Sequence, residues 1–329
     1  MPIQVNELSK HFKMFKREAG LSGAFHSFFN RKYETFHALK DISVQIEDGE
    51  ILGILGENGA GKTTLIKLLV GLLHPSSGQV CINGFTPWNR KSDFLKQISV
   101  VMGQKNQLWW DIPASESFLL NQKIYEIPDI QYKNTLNELV DLLSVQDKLN
   151  VQVRRLSLGE RMKMEIIAAL LHKPKIVLLD EPTIGLDVIS QLKIRDFVKY
   201  YNEKYKTTFL LTSHYMHDIQ ALCKRVFVIH KGSSLYDGDF EKLVNRVNPK
   251  RKLIFEFSEI PDTNKTKILS EKYIFNLNDT ILHAELPDKE LTNLVSELFH
   301  LGIPASITME DLPVEDTMRS FFMAPEKFL

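Results

Sequence analysis

The chain has 329 residues, of which 43% are hydrophobic and 25% are charged, and its basic and acidic residues balance to a formal net charge of zero. This ordinary globular composition allows one large domain and a small one, and it gives no general reason to expect nucleic-acid binding. Two cysteines, Cys81 and Cys223, exclude a disulfide framework and fit a reducing compartment. No signal-peptide core and no apolar stretch of ~20 residues is present, so any membrane role is expected to depend on a partner.

Residues 1–50 and roughly 79–102 are predicted to form an antiparallel β region. Within the first of these lies an insertion, residues 10–32, in which six basic residues and one acid are interleaved with five phenylalanines. A basic and aromatic stretch of this kind can lie against a membrane surface or a membrane subunit. Gly20 and Gly23 interrupt it, which favours a hairpin or short helix packed on the β region over one long amphipathic helix.

Residues 56–63 read Gly-Glu-Asn-Gly-Ala-Gly-Lys-Thr and match the phosphate-binding loop pattern G-x-x-x-x-G-K-[ST]. The apolar run Ile51–Leu55 before the loop predicts a buried strand, and the apolar spacing of residues 64–70 after it predicts a helix. Glycines leave backbone N–H groups free to face phosphate oxygens, and the helix points its positive end at the same place. Lys62 can reach the β- and γ-phosphates, and the Thr63 hydroxyl can ligate Mg²⁺. The sequence therefore predicts binding of a nucleoside triphosphate.

A second apolar run, Ile176–Leu179, ends in two carboxylates, Asp180 and Glu181. Adjacent acids at the end of a buried strand are costly unless a cation or a bound substrate compensates their charge. In a phosphate-loop protein this is the Walker B strand. Asp180 is then expected to hold Mg²⁺, directly or through water, and Glu181 to orient and polarise the attacking water.

Residues 156–160 read Leu-Ser-Leu-Gly-Glu and open a predicted helix. A serine and a glycine at a helix start form an anion site from a hydroxyl, free N–H groups and the helix dipole. The phosphate loop, this helix start and the Asp–Glu strand, in this order, resemble the ATP-binding subunit of ABC transporters. The family signature is usually Leu-Ser-Gly-Gly-Gln, so the chain departs from it at Leu158 and Glu160, which bears on the rate of hydrolysis. It keeps Ser157 and Gly159, which in the family face the γ-phosphate.

The resemblance implies further site residues. Gln104, after the predicted strand Ile98–Met102, corresponds to the glutamine that senses Mg²⁺ and the attacking water. His214, after the predicted strand Thr207–Ser213, corresponds to the switch histidine that contacts the γ-phosphate, and Asp187 to the D-loop residue that faces a partner subunit. The predicted nucleotide-binding residues are Tyr33, Gly56, Asn58, Gly59, Gly61, Lys62, Thr63, Thr64, Ser157, Gly159 and Asp187, the catalytic residues Glu181, His214 and Gln104, and the metal ligands Thr63, Gln104 and Asp180.

The family stacks the adenine on an aromatic ring that lies upstream of the phosphate loop. Counting back from the predicted strand Leu39–Ile46 selects Tyr33, whereas counting forward from the opening strand Ile3–Leu8 selects Phe12, because the insertion lies between them. Tyr33 is the preferred residue, and Phe36 is a further candidate.

Residues 105–172 read as mainly helical, and in the family this subdomain carries the signature and docks on the membrane subunit. Its predicted helices are Ser115–Tyr125, Gln131–Leu143 and Leu158–His172. Trp109 and Trp110 lie where the family receives the coupling helix of its membrane partner. A contact inside the subdomain core explains the pair equally well.

The family pattern ends at Gly238, so residues 1–238 are predicted to be an ABC ATPase domain and residues 239–329 an accessory α+β domain. The strand candidates are Lys252–Phe257, Lys272–Leu277, Thr280–Ala284 and Ile303–Thr308, and the helix candidates are 262–270, 287–300 and 313–323. This β-α-β-β-α-β order predicts a ferredoxin-like appendage, and no catalytic constellation is evident in it.

The predicted fold is therefore α/β: a phosphate-loop NTPase core of the ABC type with antiparallel β and helical subdomains, plus the small C-terminal domain. The resemblance implies Mg²⁺-dependent ATP hydrolysis by two copies, or by the chain and a close homologue, that sandwich two ATP molecules. They would drive a separate membrane-spanning permease at the cytoplasmic face of the membrane. The insertion is similar to those of sodium-, drug- and polysaccharide-export ATPases, which favours export.

The alternative is a soluble ABC ATPase that acts on DNA or ribosomes. DNA-repair members split the cassette with long coiled coils, but no heptad run separates Lys62 from Ser157. Ribosome-acting members usually hold two cassettes in one chain, and this chain has one phosphate loop and one signature. The transporter interpretation, without a nucleic-acid partner, is therefore preferred.

Overall fold

The computed structural model describes residues 3–15, 33–103 and 106–328. The chain forms two compact units that divide between Asp239 and Phe240. The strands of the first unit are β1 (Ile3–Phe15), β2 (Tyr33–Ile46), β3 (Ile51–Leu55), β4 (Ser77–Ile82), β5 (Ile98–Met102), β6 (Ile176–Asp180), β7 (Thr208–Thr212), β8 (Arg225–His230) and β9 (Ser233–Asp239). Its α-helices are α1 (Lys62–Leu69), α2 (Ser92–Leu95), α3 (Ala114–Ile124), α4 (Asp129–Leu143), α5 (Leu158–Leu170), α6 (Val188–Tyr205) and α7 (Met216–Leu222).

A six-stranded sheet forms the centre of the first unit, in the order β5-β6-β7-β3-β8-β9. The first five strands run parallel and β9 runs antiparallel at the edge. All five residues of β6 and of β7 are buried, as expected for parallel strands that are covered on both faces. Because the strands are parallel, their carboxyl ends lie at one edge, where Met102, Asp180 and Thr212 are aligned in register. Ligands of open α/β sheets bind at this edge.

A three-stranded antiparallel sheet, β2-β1-β4, packs on the central sheet. Its inward side chains, such as Leu8 and Ile42, share one core with Ile54 and Leu178 of the central strands. Helices α3 and α4 both contact α5 and form the helical part of the unit. Both begin one or two residues before their predicted starts, because Pro113 and Pro128 stand at the N-cap positions, where proline costs no helix hydrogen bond.

The second unit contains α8 (Phe240–Val247), β10 (Lys250–Phe257), α9 (Thr263–Lys272), β11 (Phe275–Asn278), β12 (Ile281–Pro287), α10 (Asp288–Phe299), β13 (Pro304–Asp311) and α11 (Val314–Met323). Its antiparallel sheet has the order β11-β12-β10-β13, which is the predicted ferredoxin-like arrangement. Leu253, Phe255 and Leu294 lie in its core. The prediction was wrong at Lys272, which ends α9 and does not begin a strand, because its apolar neighbours Leu269 and Tyr273 pack inward from the helix end.

Among the residues that the structure describes, no helix combines the length and apolar character needed to cross a membrane.

Candidate nucleotide-binding site

The phosphate loop makes a turn that side chains would block. Gly61 is the N-cap of α1 and has a φ of 117°, and a Cβ there would lie 2.6 Å from the carbonyl oxygen of Ala38. A Cβ on Gly56 would lie 2.3 Å from the carbonyl oxygen of Ile229. Only glycine fits both positions, so the loop passes close to β2 and β8 and delivers α1 with its N-terminal end at the sheet edge.

Lys62 is folded into this loop. Its side chain is buried, and Nζ donates hydrogen bonds to the carbonyl oxygens of Gly56 at 2.7 Å and Glu57 at 3.1 Å. Burial lowers the pKa of Lys62, while the negative charges of Glu181 and Asp180 act in the opposite direction. The loop therefore holds a cation next to the two carboxylates at the end of β6.

Asp180 is held by two threonine hydroxyls. Thr63 Oγ1 donates to Asp180 Oδ2 at 3.2 Å, and Thr212 Oγ1 donates to Asp180 Oδ1 at 2.7 Å. No group of three or more His, Cys, Asp or Glu side chains suited to a metal occurs in the described part of the chain. This donor set fits Mg²⁺, which takes hard oxygen ligands, usually one or two carboxylates together with phosphates and waters.

Glu181 and His214 are in direct contact. Nε2 of His214 lies 2.8 Å from Oε1 of Glu181, and the histidine side chain is 36% exposed whereas that of the glutamate is 15% exposed. Glu181 has a φ of 55°, a left-handed conformation that is rare for this residue type and that often occurs at functional sites. Its N–H donates at 3.0 Å to the hydroxyl of Thr212, which fixes the strained position. The site thus holds a carboxylate and an imidazole in direct contact at the end of the strand.

Five predicted site residues therefore meet at the carboxyl edge of the parallel sheet: Lys62, Thr63, Asp180, Glu181 and His214. A glycine-rich loop, a lysine and a carboxylate pair in this arrangement define a phosphate-loop nucleoside triphosphatase. Of the other predicted loop residues, Asn58 and Gly59 are exposed and Thr64 is half-buried. Gln104 lies outside the described residues, so its predicted role stays a prediction.

The start of α5 shows what replaces the usual signature glutamine. Ser157 and Glu160 form a capping box: Ser157 Oγ accepts from the Glu160 N–H at 3.2 Å, and Glu160 Oε2 accepts from the Ser157 N–H at 2.9 Å. Nζ of Lys148 lies 3.2 Å from Glu160 Oε1. The bonds to Ser157 and this lysine hold the pKa of Glu160 below its usual value. The spacing of Ser157 and Glu160 in the sequence is that of a capping box, so this cap could have been predicted. Lys148 carries no such signal, and sequence reasoning missed it.

We expect Glu160→Ala to lower the free energy of unfolding by about 0.3–1.5 kcal/mol, because the first turn of α5 loses a cap. Chemical denaturation measures the change. Glu160→Gln is the matched control, since its amide oxygen can still accept from the Ser157 N–H, and it should retain most of the stability. Equal losses in both variants would show that the ion pair with Lys148 matters more than the capping box.

The signature and the D-loop lie side by side. Asp187 caps α6, with its two carboxylate oxygens accepting from the N–H of Ser190 at 2.9 Å and from its hydroxyl at 2.7 Å. A Cβ on Gly159 would lie 2.4 Å from Ser190 Oγ, so a larger residue there would displace the hydroxyl that Asp187 binds. Ser157 and Asp187 are both exposed. The two motifs therefore present one continuous face.

The candidate adenine platforms lie on β1 and β2. Phe12 pairs with Phe36 and Tyr33 pairs with Phe15 across the two strands. Phe12 is 36% exposed and Phe36 is 48% exposed. The side chain of Tyr33 lies outside the described part of the structure.

The tryptophan pair is exposed. Trp109 is 61% and Trp110 44% exposed, so the alternative prediction of a core contact was wrong. The loop is fastened to α5 instead. Glu165 Oε1 accepts hydrogen bonds from the backbone N–H groups of Gln107 at 2.9 Å and Leu108 at 3.3 Å. The Arg161 guanidinium lies 5.4 Å from the centre of the Trp110 ring. Burial raises the pKa of Glu165, against the effect of these hydrogen bonds. Sequence reasoning missed both α5 residues.

Comparison with known proteins identifies the family. A family model described as "ABC transporter" matches residues 39–184. The ABC transporter ATP-binding protein NatA of Bacillus subtilis is 37% identical over 215 residues, which cover 65% of this chain and 87% of that protein. The bacitracin transport ATP-binding protein BcrA of Bacillus licheniformis is 32% identical over 255 residues, 78% of this chain and 80% of that protein. The chain belongs to the ATP-binding proteins of ABC transporters.

The fold agrees with solved structures. A dimeric ATP-binding cassette, described as a post-hydrolysis state bound to ADP and Pi, matches with a TM-score of 0.61 at 23% identity and covers 72% of this chain and 98% of that chain. The family and the fold predicted from the sequence are confirmed.

Proposed function

We propose that this chain is the ATP-hydrolysing subunit of an ABC exporter. Two copies, or the chain and a close homologue, close on two ATP molecules and drive a separate membrane-spanning permease. The chain would then lie at the cytoplasmic face of the membrane through that partner. Support comes from one chain that carries both a phosphate site and a second, capped helix start at which Ser157 is exposed, while Gly159 is buried behind it against Ser190. An exposed anion site of this type is explained if it completes the ATP site of another copy.

Within one subunit, Lys62 and the N-terminal end of α1 would bind the β- and γ-phosphates. Thr63 and Asp180 would hold Mg²⁺, which when bound neutralises negative charge on the phosphates. Glu181 would orient a water and polarise its O–H bond toward the carboxylate. His214 would hold Glu181 in position through the contact between their side chains. Fixed charges that are already in place supply most of the acceleration in such a site.

We propose that the adenine stacks on the paired Phe12 and Phe36 and not on Tyr33. The carbonyl of Ala38 lies beside Gly61, which places this part of β2 next to the phosphate loop. On β2, Phe36 is two residues from Ala38, or about 7 Å along the strand, and Phe12 lies opposite it on β1. Tyr33 is five residues from Ala38, or about 17 Å. A base attached to phosphates in the loop is therefore closer to the phenylalanine pair.

The permease is proposed to dock at the exposed tryptophan pair, since large aromatic side chains are enriched at protein interfaces. Export is preferred because the basic and aromatic insertion at residues 10–32 resembles those of export ATPases, whereas the relative named for bacitracin transport carries no direction in its name. Other relatives, at 29% identity, are named for methionine import, so the direction of transport is a proposal to be tested with the permease.

Ser157→Arg tests the shared site. The variant should lose turnover while each monomer still binds ATP, because an arginine at the exposed helix start obstructs the partner's nucleotide and leaves its own phosphate loop intact. Mixed with Lys62→Ala, it should regain partial activity: one composite site of the mixed dimer carries both defects and the other carries neither. Steady-state ATPase assays of defined mixtures measure this rescue.

Ser157→Thr is the matched control, since it keeps a hydroxyl that can cap α5, and it should remain active. A Ser157→Arg monomer that cannot bind ATP would indicate a folding defect. Retained binding without rescue in demonstrated mixed dimers would mean that both sites must act together or that Ser157 serves its own subunit.

A further inference from the structure

Asp218 is a buried acid on α7 with partners on three other segments. It is 1% exposed, and Oδ2 accepts hydrogen bonds from Ser213 Oγ at 2.7 Å and from Thr183 Oγ1. Nε of Arg195, on α6, lies 3.1 Å from Oδ1. A buried carboxylate is tolerated only when it is paired and hydrogen-bonded, and these contacts meet that condition.

The two hydroxyls bound by Asp218 flank the site residues that touch each other. Ser213 directly precedes His214, and Thr183 comes two residues after Glu181. The Ser213 hydroxyl also accepts from the N–H of Tyr215 at 3.0 Å, so it fixes the backbone on both sides of the histidine. One carboxylate therefore anchors both chain segments from which the contacting side chains project.

The position of Glu181 relative to His214 needs support beyond the contact between their two side chains. His214 Nε2 and Glu181 Oε1 are 2.8 Å apart, and Glu181 holds a strained backbone conformation with a φ of 55°. Strained residues persist only when surrounding contacts over-determine them. The hydroxyl of Thr183 supplies such a contact two residues after Glu181, and the hydroxyl of Thr212 accepts from the Glu181 N–H.

We propose that Asp218 is a positioning residue that sets the placement of Glu181 relative to His214 through the hydroxyls of Thr183 and Ser213. It touches none of the reacting atoms and acts only through these two neighbours. The inference rests on the proposed function, in which Glu181, held in position by His214, acts on the water that attacks ATP. No contact of this cluster reaches the described phosphate-loop residues, so it should govern the chemical step and not nucleotide binding.

Thr183→Val tests the proposal, because valine has nearly the shape of threonine and lacks the hydroxyl. We expect kcat for ATP hydrolysis to fall about 10- to 100-fold, with KM and nucleotide affinity nearly unchanged. Thr183→Ser keeps a hydroxyl for Asp218 and should retain most of the rate. Thr207→Val is the matched control, since Thr207 is equally buried and donates a hydrogen bond only to the backbone of Pro174 among its described partners, and its kcat should not change.

A second measurement separates positioning from general structure. If Thr183 acts through Glu181, then Glu181→Gln combined with Thr183→Val should turn over no more slowly than Glu181→Gln alone. Additive losses would overturn the proposal, as would an unchanged kcat in Thr183→Val or an equal loss in Thr183→Ser. Where Thr183→Val fails to fold, Ser213→Ala removes the other hydroxyl and is read in the same way. If the parent protein did not hydrolyse ATP, the proposed function would fail, and if Glu181→Gln had no effect, water activation would belong to another group. A defect in Glu181→Gln without one in Thr183→Val rejects only the role of Asp218.

Discussion

Lys62→Ala is expected to remove most ATP binding and to lower kcat/KM by on the order of 100-fold or more. The substitution deletes a buried cation whose Nζ lies at the carbonyls of Gly56 and Glu57 and beside the charges of Asp180 and Glu181. Without it, the phosphates of ATP meet two carboxylates with less compensating charge, and their mutual repulsion opposes binding.

Thermal unfolding with and without ATP measures the binding defect in the same samples. The parent protein should gain stability with rising ATP concentration, and Lys62→Ala should not. Lys67→Ala, which alters the last turn of the same helix, is the matched control and should behave like the parent. Parent-like ATPase activity in Lys62→Ala would contradict the assignment of residues 56–63 as the phosphate loop.

Glu181→Gln should keep ATP binding and slow hydrolysis by about 100- to 10,000-fold. The amide has nearly the shape of the carboxylate and can still contact His214, but it cannot accept the proton of the attacking water. The variant should therefore accumulate as an ATP-bound dimer, which light scattering detects as a doubling of mass when ATP and Mg²⁺ are added.

Glu138→Gln provides the comparison, since Glu138 is a partly buried carboxylate of α4 that is hydrogen-bonded to Tyr205 and takes no part in the site. It should hydrolyse ATP like the parent. If Glu181→Gln also does so, water activation belongs to another group, and His214 is the first to test.

The elements that carry the site were predictable because their signals are local. Ile51–Leu55 and Ile98–Met102 have the predicted bounds, and the strand that begins at Ile176 ends at Asp180, one residue before the predicted second carboxylate, since buried parallel strands read as continuous apolar runs. The phosphate loop that ends at Lys62 follows β3, Asp180 ends β6, and His214 comes two residues after β7. The carboxyl ends of these parallel strands share one edge of the sheet. Their convergence therefore follows from strand order alone.

The supporting residues were not predictable, because their roles exist only in the folded chain. Asp218 and Thr183 are 35 residues apart in sequence, and Glu165 binds a loop 57 or 58 residues away. An isolated acid in a helical run looks like a solvated residue until its burial is known. The choice of adenine platform depends on the same kind of information: counting from either side of an insertion cannot show how β1 pairs with β2, whereas the structure pairs Phe12 with Phe36, so Tyr33 stays a prediction from the sequence.

The attachment of the tryptophan loop to α5 has a mechanical consequence. Helix α5 spans 13 residues, or about 20 Å, and its hydrogen-bonded backbone makes it stiff along that length. Glu165 joins the loop to the middle of the helix and Arg161 joins it to the first turn, while Ser157 is the N-cap. A displacement imposed on Trp109 and Trp110 would therefore be passed to α5 through these contacts, and Ser157 lies only eight residues, or about 12 Å along the helix, from Glu165.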